Sequence, residues 1–585
     1  MSSVISYNDT TSYNPRWGSL ALAAGQAQCS TAIGPGAALA LADRAGQLSG
    51  YLPSMPAPAQ SAAIGALLAR CPLTVIDLGA LPVTAARTAS LTAADQQVAA
   101  ITKAAPAGSM IVLAGLGDGT SPHLRALVVA GPGYRHGLLT SQSTRQPGVV
   151  AITDLTPSVF AWRGQRLPSG LAGSKAIAAP RGPLTTTVKS MIGQDVANQV
   201  YRSIVGWFFL YYALAEVAVF ALIALLLRGN DPRLTRRRVA WYTAAAAVSA
   251  AVPAGTFLAG LVPWGQLPHP AIWLYGLGFG WAAVIGAAAL AGPWRRQPFG
   301  PPGFVCAVTL AVIGIDVMTG SRLQLGAPFG LSLVEAGRFY GVGNNALGVY
   351  AVVGILTAAW AAAASSSRRL ALLAAAAVAL AAVIASGWPG FGAKVGGTIA
   401  MVPAFLVLLA AIARVRITMR RGLLIAVSGV ALVVAFAIAD YVLPAIGPSH
   451  LSGFVGQVLH GGAGSTLHRK ISSNLHSLTE TWFTPVVPVV AVATGLMLGW
   501  PGRLRLRTFV VASRLDERLR PALFAVWLAV VLGWLADDSG VSLAAAALPV
   551  ALPLAIALTV RTASAGGTER PTGRASVCAD RAIAG

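Results

Sequence analysis

Carboxylates are sparse in the apolar C-terminal two-thirds of this 585-residue chain, and they gather toward one end of their segments: Asp316, Asp440, and the adjacent Asp537 and Asp538. The loop Leu323–Asn345 adds Glu335, Arg338, Tyr340, Asn344 and Asn345. Its Gly337, Gly341 and Gly343 suit a backbone folded back into a cavity, where irregular chain is tolerated at membrane depth. A second loop, Gly387–Gly397, carries Trp388, Lys394 and five glycines. A third, Gly447–Glu480, has an amphipathic pattern with His450, His460, His468, Arg469, Lys470 and His476. Ionisable groups inside a bilayer are expensive and usually functional. Carboxylates so placed suit acid–base work or cation binding, and Arg338, Lys394 and Arg469 suit an anionic group such as phosphate. The competing reading is ordinary interfacial loops with helix caps and snorkelling bases. The four histidines of the third loop have no ligand-set spacing. Glu216, in the first apolar run, is expected to be paired inside the bundle or to face the N-terminal domain. No Walker loop, dinucleotide fingerprint, HExxH or GxSxG stands in a context that would support it.

The elements that must hold these groups follow from composition. Mean hydropathy is +0.67 and only 10% of residues are charged, too few to cover a soluble surface of this length. The formal charge of +23 does not indicate nucleic acid, because the bases form no stripe interleaved with aromatics but cluster between apolar runs. From Tyr201 onward those runs are long enough to cross a bilayer, which takes about 20 residues. Spans are expected near 203–227, 239–262, 271–292, 303–320, 344–364, 370–387, 397–413, 422–443, 482–500, 521–536 and 541–560, about eleven in all. Loops 228–238, 293–302, 365–369, 414–421, 503–520 and the tail from Arg561 hold 23 Lys and Arg; the alternate loops hold 5. The basic set is therefore expected in the cytoplasm, with the N-terminal domain outside, the C-terminus inside, and the protein in the plasma membrane.

Residues 1–171 are expected to form an extracytoplasmic α/β domain with a largely parallel sheet, from short apolar runs at Leu73–Asp77, Met110–Ala114, Ala126–Ala130 and Val149–Ile152. A linker or surface helix (172–200) leads to the transmembrane domain (201–562) and a disordered cytoplasmic tail (563–585). Cys29 and Cys71 both fall in the exported part, where a disulfide is allowed and two buried thiols are the alternative. Export needs a signal peptide or a preceding helix; Met1–Arg16 is polar and Leu20–Ala24 too short, so a further N-terminal segment is expected upstream.

Five pieces of Cys71–Pro168 occur in the order seen in the C-terminal half of the alkaline-phosphatase superfamily. They are Val75-Ile76-Asp77-Leu78-Gly79, a helix with Asp95, Met110–Ala114 with Gly117-Asp118-Gly119, Pro122-His123-Leu124-Arg125 leading into Val128–Gly133, and Ile152-Thr153-Asp154-Leu155-Thr156-Pro157-Ser158. The segment resembles that superfamily, in which Asp and His at strand ends bind two metals that activate a Ser or Thr. The resemblance implies Asp77, Asp118 and His123 as metal ligands, in an eroded set: Ala80 and Gly119 replace histidines, and the nucleophile strand is missing. The competing reading is that Asp77 and Asp118 cap helices. The whole chain also resembles a group of uncharacterised actinobacterial polytopic membrane proteins with a similar outer domain. That likeness is carried by Ala32–Asp43, Leu139–Arg145, Gly337–Asn345 and Asp537-Asp538-Ser539-Gly540.

The expected protein is thus an α-helical polytopic membrane bundle behind a partial, degenerate alkaline-phosphatase-like domain. Its expected function is to transport or transfer a lipid-linked or anionic envelope precursor at an outward polar cavity, with membrane lipid as surroundings, no nucleic acid, and no cofactor. The alternatives are a phospho-transferase or hydrolase using a divalent metal, and a non-catalytic membrane scaffold.

Overall fold

The computed structural model describes residues 6–7, 17–25, 29–117, 122–134, 136–168, 171–226, 232–335, 338–442, 486–537 and 540–566. The chain separates into two units: Met1–Gln199 with Leu333–Phe339, and Val200–Ser332 with Tyr340–Gly585.

In the first unit, the buried strand β1 (Ser30–Ile33) passes through Gly34 into α1 (Pro35–Leu41), whose Pro35 suits a first helical turn. β2 (Tyr51–Leu52), α2 (Ser61–Arg70) and β3 (Leu73–Ile76) follow. β1 lies between β2 and β3, parallel to both. The register Ser30↔Leu73 brings Cys29 beside Cys71, and the two are joined in a disulfide with Cα atoms 5.2 Å apart. Beyond α3 (Arg87–Ala104) the expectation of a largely parallel sheet fails. β4 (Ile111–Ala114) pairs antiparallel with β5 (Leu127–Ala130), and β6 (Leu138–Thr140) pairs antiparallel with β7 (Ile177–Ala179). A parallel return usually needs a crossover helix; the Gly- and Pro-bearing 115–126 connection lets the chain double back directly. Val149–Ile152 is not a strand either. The Asp154 carboxylate accepts from Ala151 N at 3.0 Å, turning the chain through a 3-10 turn at Ile152–Asp154 into α4 (Leu155–Trp162). The stretch 172–200, expected as a linker or surface helix, contains β7 and the start of α5 (Leu184–Leu226), within which the unit boundary falls.

The second unit is a helical bundle. After α5 come α6 (Pro232–Leu258), α7 (Pro270–Ala291), α8 (Gly300–Met318), α9 (Asn344–Ala364), α10 (Arg368–Gly387), α11 (Val395–Ile412) and α12 (Met419–Val442). α13 (Val486–Gly499), the short α14 (Arg507–Leu515), α15 (Leu519–Ala536) and α16 (Val541–Gly566) complete it among the described residues. Ten of these helices are long and apolar enough to cross a membrane, which a multi-pass protein requires. The eleventh expected span corresponds to α13, of which 14 residues are described. α16 continues to Gly566, past the expected start of a disordered tail; 567–585 lie outside the described residues.

α9 is the axis of the bundle: 83% of its span is buried, against 11% for α12, whose Leu423, Leu424, Val427 and Val434 are exposed as lipid-facing side chains would be. Apolar contact gives helices no reason to associate in lipid, so close backbone approach has to hold them. At the α6–α7 crossing a Cβ on Gly255 would stand 2.1 Å from the Gly278 carbonyl oxygen, which makes glycine obligatory there. At the basic-loop end, arginines cap the carbonyls that helix ends leave without partners. Arg561 donates to Pro298, Arg295 and Gln297 oxygens; Arg520 donates to Leu498 and Gly499; Arg368 donates to Ile412.

Candidate functional site

The charged centre of the bundle lies at the end opposite those arginines, where α10, α15 and the α8–α9 connection end and α9 and α11 begin. Lys394, the residue before α11, sits in a turn closed by Lys394 N donating to Ser386 O at 3.0 Å and by Ala393 at φ +47°. This turn aims the ammonium inward. Lys394 Nζ lies 3.1 Å from Asp537 Oδ1, and it also donates to Asn344 Oδ1, at the first residue of α9. Lys394 and Asp537 are 4% and 5% exposed, so the pair is removed from solvent. A Cβ on Gly396 would come within 3.1 Å of Asp537 Cα and Cβ, so any larger residue there would press α11 against the end of α15. Ser386, at the end of α10, has a buried hydroxyl with no hydrogen-bond partner among the described residues. Thr398 Oγ1 donates to Lys394 O at 3.1 Å.

Asp316 is engaged by the chain that follows α8. Its carboxylate accepts from Leu323 N at 2.7 Å and from Gln324 N and Nε2 at 3.2 and 3.1 Å. Gln324 in turn donates to Gly341 O and accepts from Gly343 N, and Ser321 exchanges hydrogen bonds with Gly341. Asp316 therefore folds the α8–α9 connection and sets the start of α9, from which Asn344 reaches Lys394. Gln324 and Ser321 carry no charge and gave no signal in the sequence.

Of the remaining candidates, Tyr340 is buried in the second unit and Asn345 is half-buried beside Asn344. Asp440 is buried near the end of α12. Glu335 and Arg338 are assigned to the first unit, and Tyr340, Asn344 and Asn345 to the second. In the first unit Leu333 N donates to Asn198 Oδ1, and Phe339 O accepts from Gln146. Asp538, Gly337 and the whole histidine-bearing loop with Arg469 and Lys470 lie outside the described residues.

The metal candidates of the first unit are otherwise engaged. Asp77 Oδ2 accepts from Gly36 N at 2.7 Å and Oδ1 from Gly79 N at 2.8 Å, so the carboxylate caps α1 and its own turn. His123 Nδ1 lies 2.8 Å from Leu124 O and 3.9 Å from Asp195 Oδ2, and its other ring nitrogen meets Arg125. Asp118 lies outside the described residues, and among those described no group of three His, Cys, Asp or Glu gathers to hold a metal. The segments 139–145 and 152–158 do meet, around the fully buried Asp154. Its oxygens accept from Ser141 Oγ at 2.6 Å, Ala151 N at 3.0 Å and Ser174 N at 2.8 Å. Ser158 Oγ bridges Asp154 O and Ala176 N. The result is a satisfied polar knot that ties β6, α4 and the approach to β7 together.

Compared with models of known families, with curated proteins and with solved structures, the chain finds no match, so the reading of its site rests on its own geometry.

Proposed function

We propose that the protein is a multi-pass plasma-membrane protein of the cell envelope that moves or transfers an anionic, lipid-linked envelope precursor, with Lys394, Asp537 and Asn344 as the centre that engages the anion. The observation that carries this reading is the buried Lys394–Asp537 pair at 3.1 Å, held where two helices begin. A buried ion pair is a poor source of stability compared with apolar packing, so it needs another reason to be present. An ammonium beside helix N-termini favours negative charge, and Asp537 supplies that charge from within the chain. A phosphate-like group, with more acceptor oxygens, competes with Asp537 for Lys394 and releases the carboxylate to take up a proton or cation. The excess of Lys and Arg in alternate loops supports a reading in which this end of the bundle faces outward. The first unit then serves recognition or assembly.

The test is complementation in a host deleted for this gene, with expression and membrane integration checked. Asp537→Asn and Lys394→Met are expected to abolish function, and Asp77→Asn to retain it. Function surviving in both centre variants rules the reading out; loss confined to Asp77→Asn moves the chemistry to the first unit.

A further inference from the structure

A second carboxyl is buried in the bundle, away from the charged centre. Glu216, on α5, is 7% exposed and faces α6. Ten residues separate it from Leu226 at the basic-loop end of α5, or about 15 Å at 1.5 Å per residue. Ser249 on α6 stands eleven residues from Arg238, or about 17 Å, so both lie near the middle of a hydrocarbon core about 30 Å thick.

The local backbone explains what surrounds it. Pro253 has no N–H, which leaves the carbonyl of Ser249, four residues earlier in α6, without its helical donor. Tyr212 OH donates to that carbonyl at 2.8 Å. Ser249 Oγ lies 3.4 Å from Tyr212 OH and is hydrogen-bonded to Glu216 Oε1. Glu216 Oε2 is buried and has no partner among the described residues, and no salt bridge to Glu216 occurs among them. The titratable groups that face it are Tyr212 from α5 itself and Tyr242 from α6, whose hydroxyl is bound to Pro553 O of α16. The α16 residues packed there, Ile556 and Ala557, are apolar.

We infer that Glu216 is a proton-binding site inside the membrane: a carboxylic acid donating to Ser249 Oγ. In that state a chain runs from Glu216 to Ser249 Oγ to Tyr212 OH to the Ser249 carbonyl, and every proton in it has an acceptor. A carboxylate in the same place keeps one hydrogen bond and, among the described residues, no cation, an arrangement a bilayer interior disfavours.

The full-length protein in lipid vesicles is treated with dicyclohexylcarbodiimide, which attacks protonated carboxyls in apolar surroundings. The acid's proton passes to one carbodiimide nitrogen, its oxygen bonds the central carbon, and the adduct rearranges to a stable N-acylurea with no group lost. Mass spectrometry is expected to find the adduct on the Glu216 peptide, diminishing as pH is raised. Glu216→Gln is expected to lose it and Glu216→Asp to keep it. Ser249→Ala, which removes the acceptor, is expected to move the decline to lower pH. Three results overturn the inference: no adduct where unfolded protein is labelled, protection by sodium or potassium ions at constant pH, or a Ser249→Ala shift to higher pH.

Discussion

The Asp154 knot of the first unit and the Lys394–Asp537 centre of the second both bury a carboxylate, yet they are built in opposite ways. Asp154 accepts three hydrogen bonds from neutral donors within its own neighbourhood of the chain, at positions 141, 151 and 174. Asp537 faces a lysine 143 positions away on a different helix, with an asparagine from a third as the lysine's other acceptor. The first arrangement is saturated and has one stable state. The second sets one charge against another, and the proposed engagement of an anion rests on that difference. Asp316 belongs to the first kind although it sits beside the second, because neutral backbone and amide donors fill its oxygens. A buried acidic group therefore points to chemistry through the kind of partner it has, more than through its burial.

The largest effect expected from breaking this contrast is in the centre. Asp537→Asn leaves the Lys394 ammonium buried without its counter-charge, and thermal melts of the detergent-solubilised protein should register a loss of about 3–5 kcal/mol. The double variant Lys394→Met/Asp537→Leu should recover most of that stability and none of the function; recovery of both would make the pair architectural. Asp154→Ala removes the acceptor of the buried Ser141 hydroxyl and of two amides, and about 3 kcal/mol should be lost from the first unit, read as faster limited proteolysis there. Asp316→Asn keeps one acceptor oxygen but sets an amide group against the Leu323 and Gln324 donors. A loss of about 2 kcal/mol with function partly retained is expected, and complete loss of function at normal abundance would move Asp316 into the centre. The smallest effect is Gly396→Ala, whose methyl presses on Asp537 at 3.1 Å; about 1 kcal/mol in the same melts is expected, with a disproportionate loss of activity if the pair must separate and re-form.

Much of the membrane half was legible because the bilayer imposes a length on every span and because lysine and arginine mark alternate loops. The helices α7 to α12 start and end within a few residues of the expected spans. Asp537 and Lys394 were identifiable as candidates because charge at membrane depth is rare, and Asn344 because it closes the glycine-bearing loop that carries Glu335 and Arg338. Gln324, Ser321 and Ser386 were not, since neutral polar residues are common at helix ends and only contacts give them a role. The first unit was read less well. Leu73–Ile76 and Ile111–Ala114 were visible as apolar runs, while the short β1, β6 and β7 were missed. Strand direction depends on which edge the returning chain finds, and a run of four apolar residues carries no record of that.

By itself the sequence determined that this is a chain for a lipid environment, where its spans lie, and which few ionisable groups sit among them, because hydrophobicity and charge are properties of each residue. Only the tertiary structure decided that Lys394 meets Asp537, that Asp316 and Asp154 hold backbone, that Asp77 caps a helix, and that Glu216 meets the Ser249 hydroxyl while Tyr212 takes the carbonyl released by Pro253. Those facts are distances between residues that the folded chain brings together, some of them, as Lys394 and Asp537, far apart in sequence. They are set by how small residues let helices approach one another, which no single position encodes.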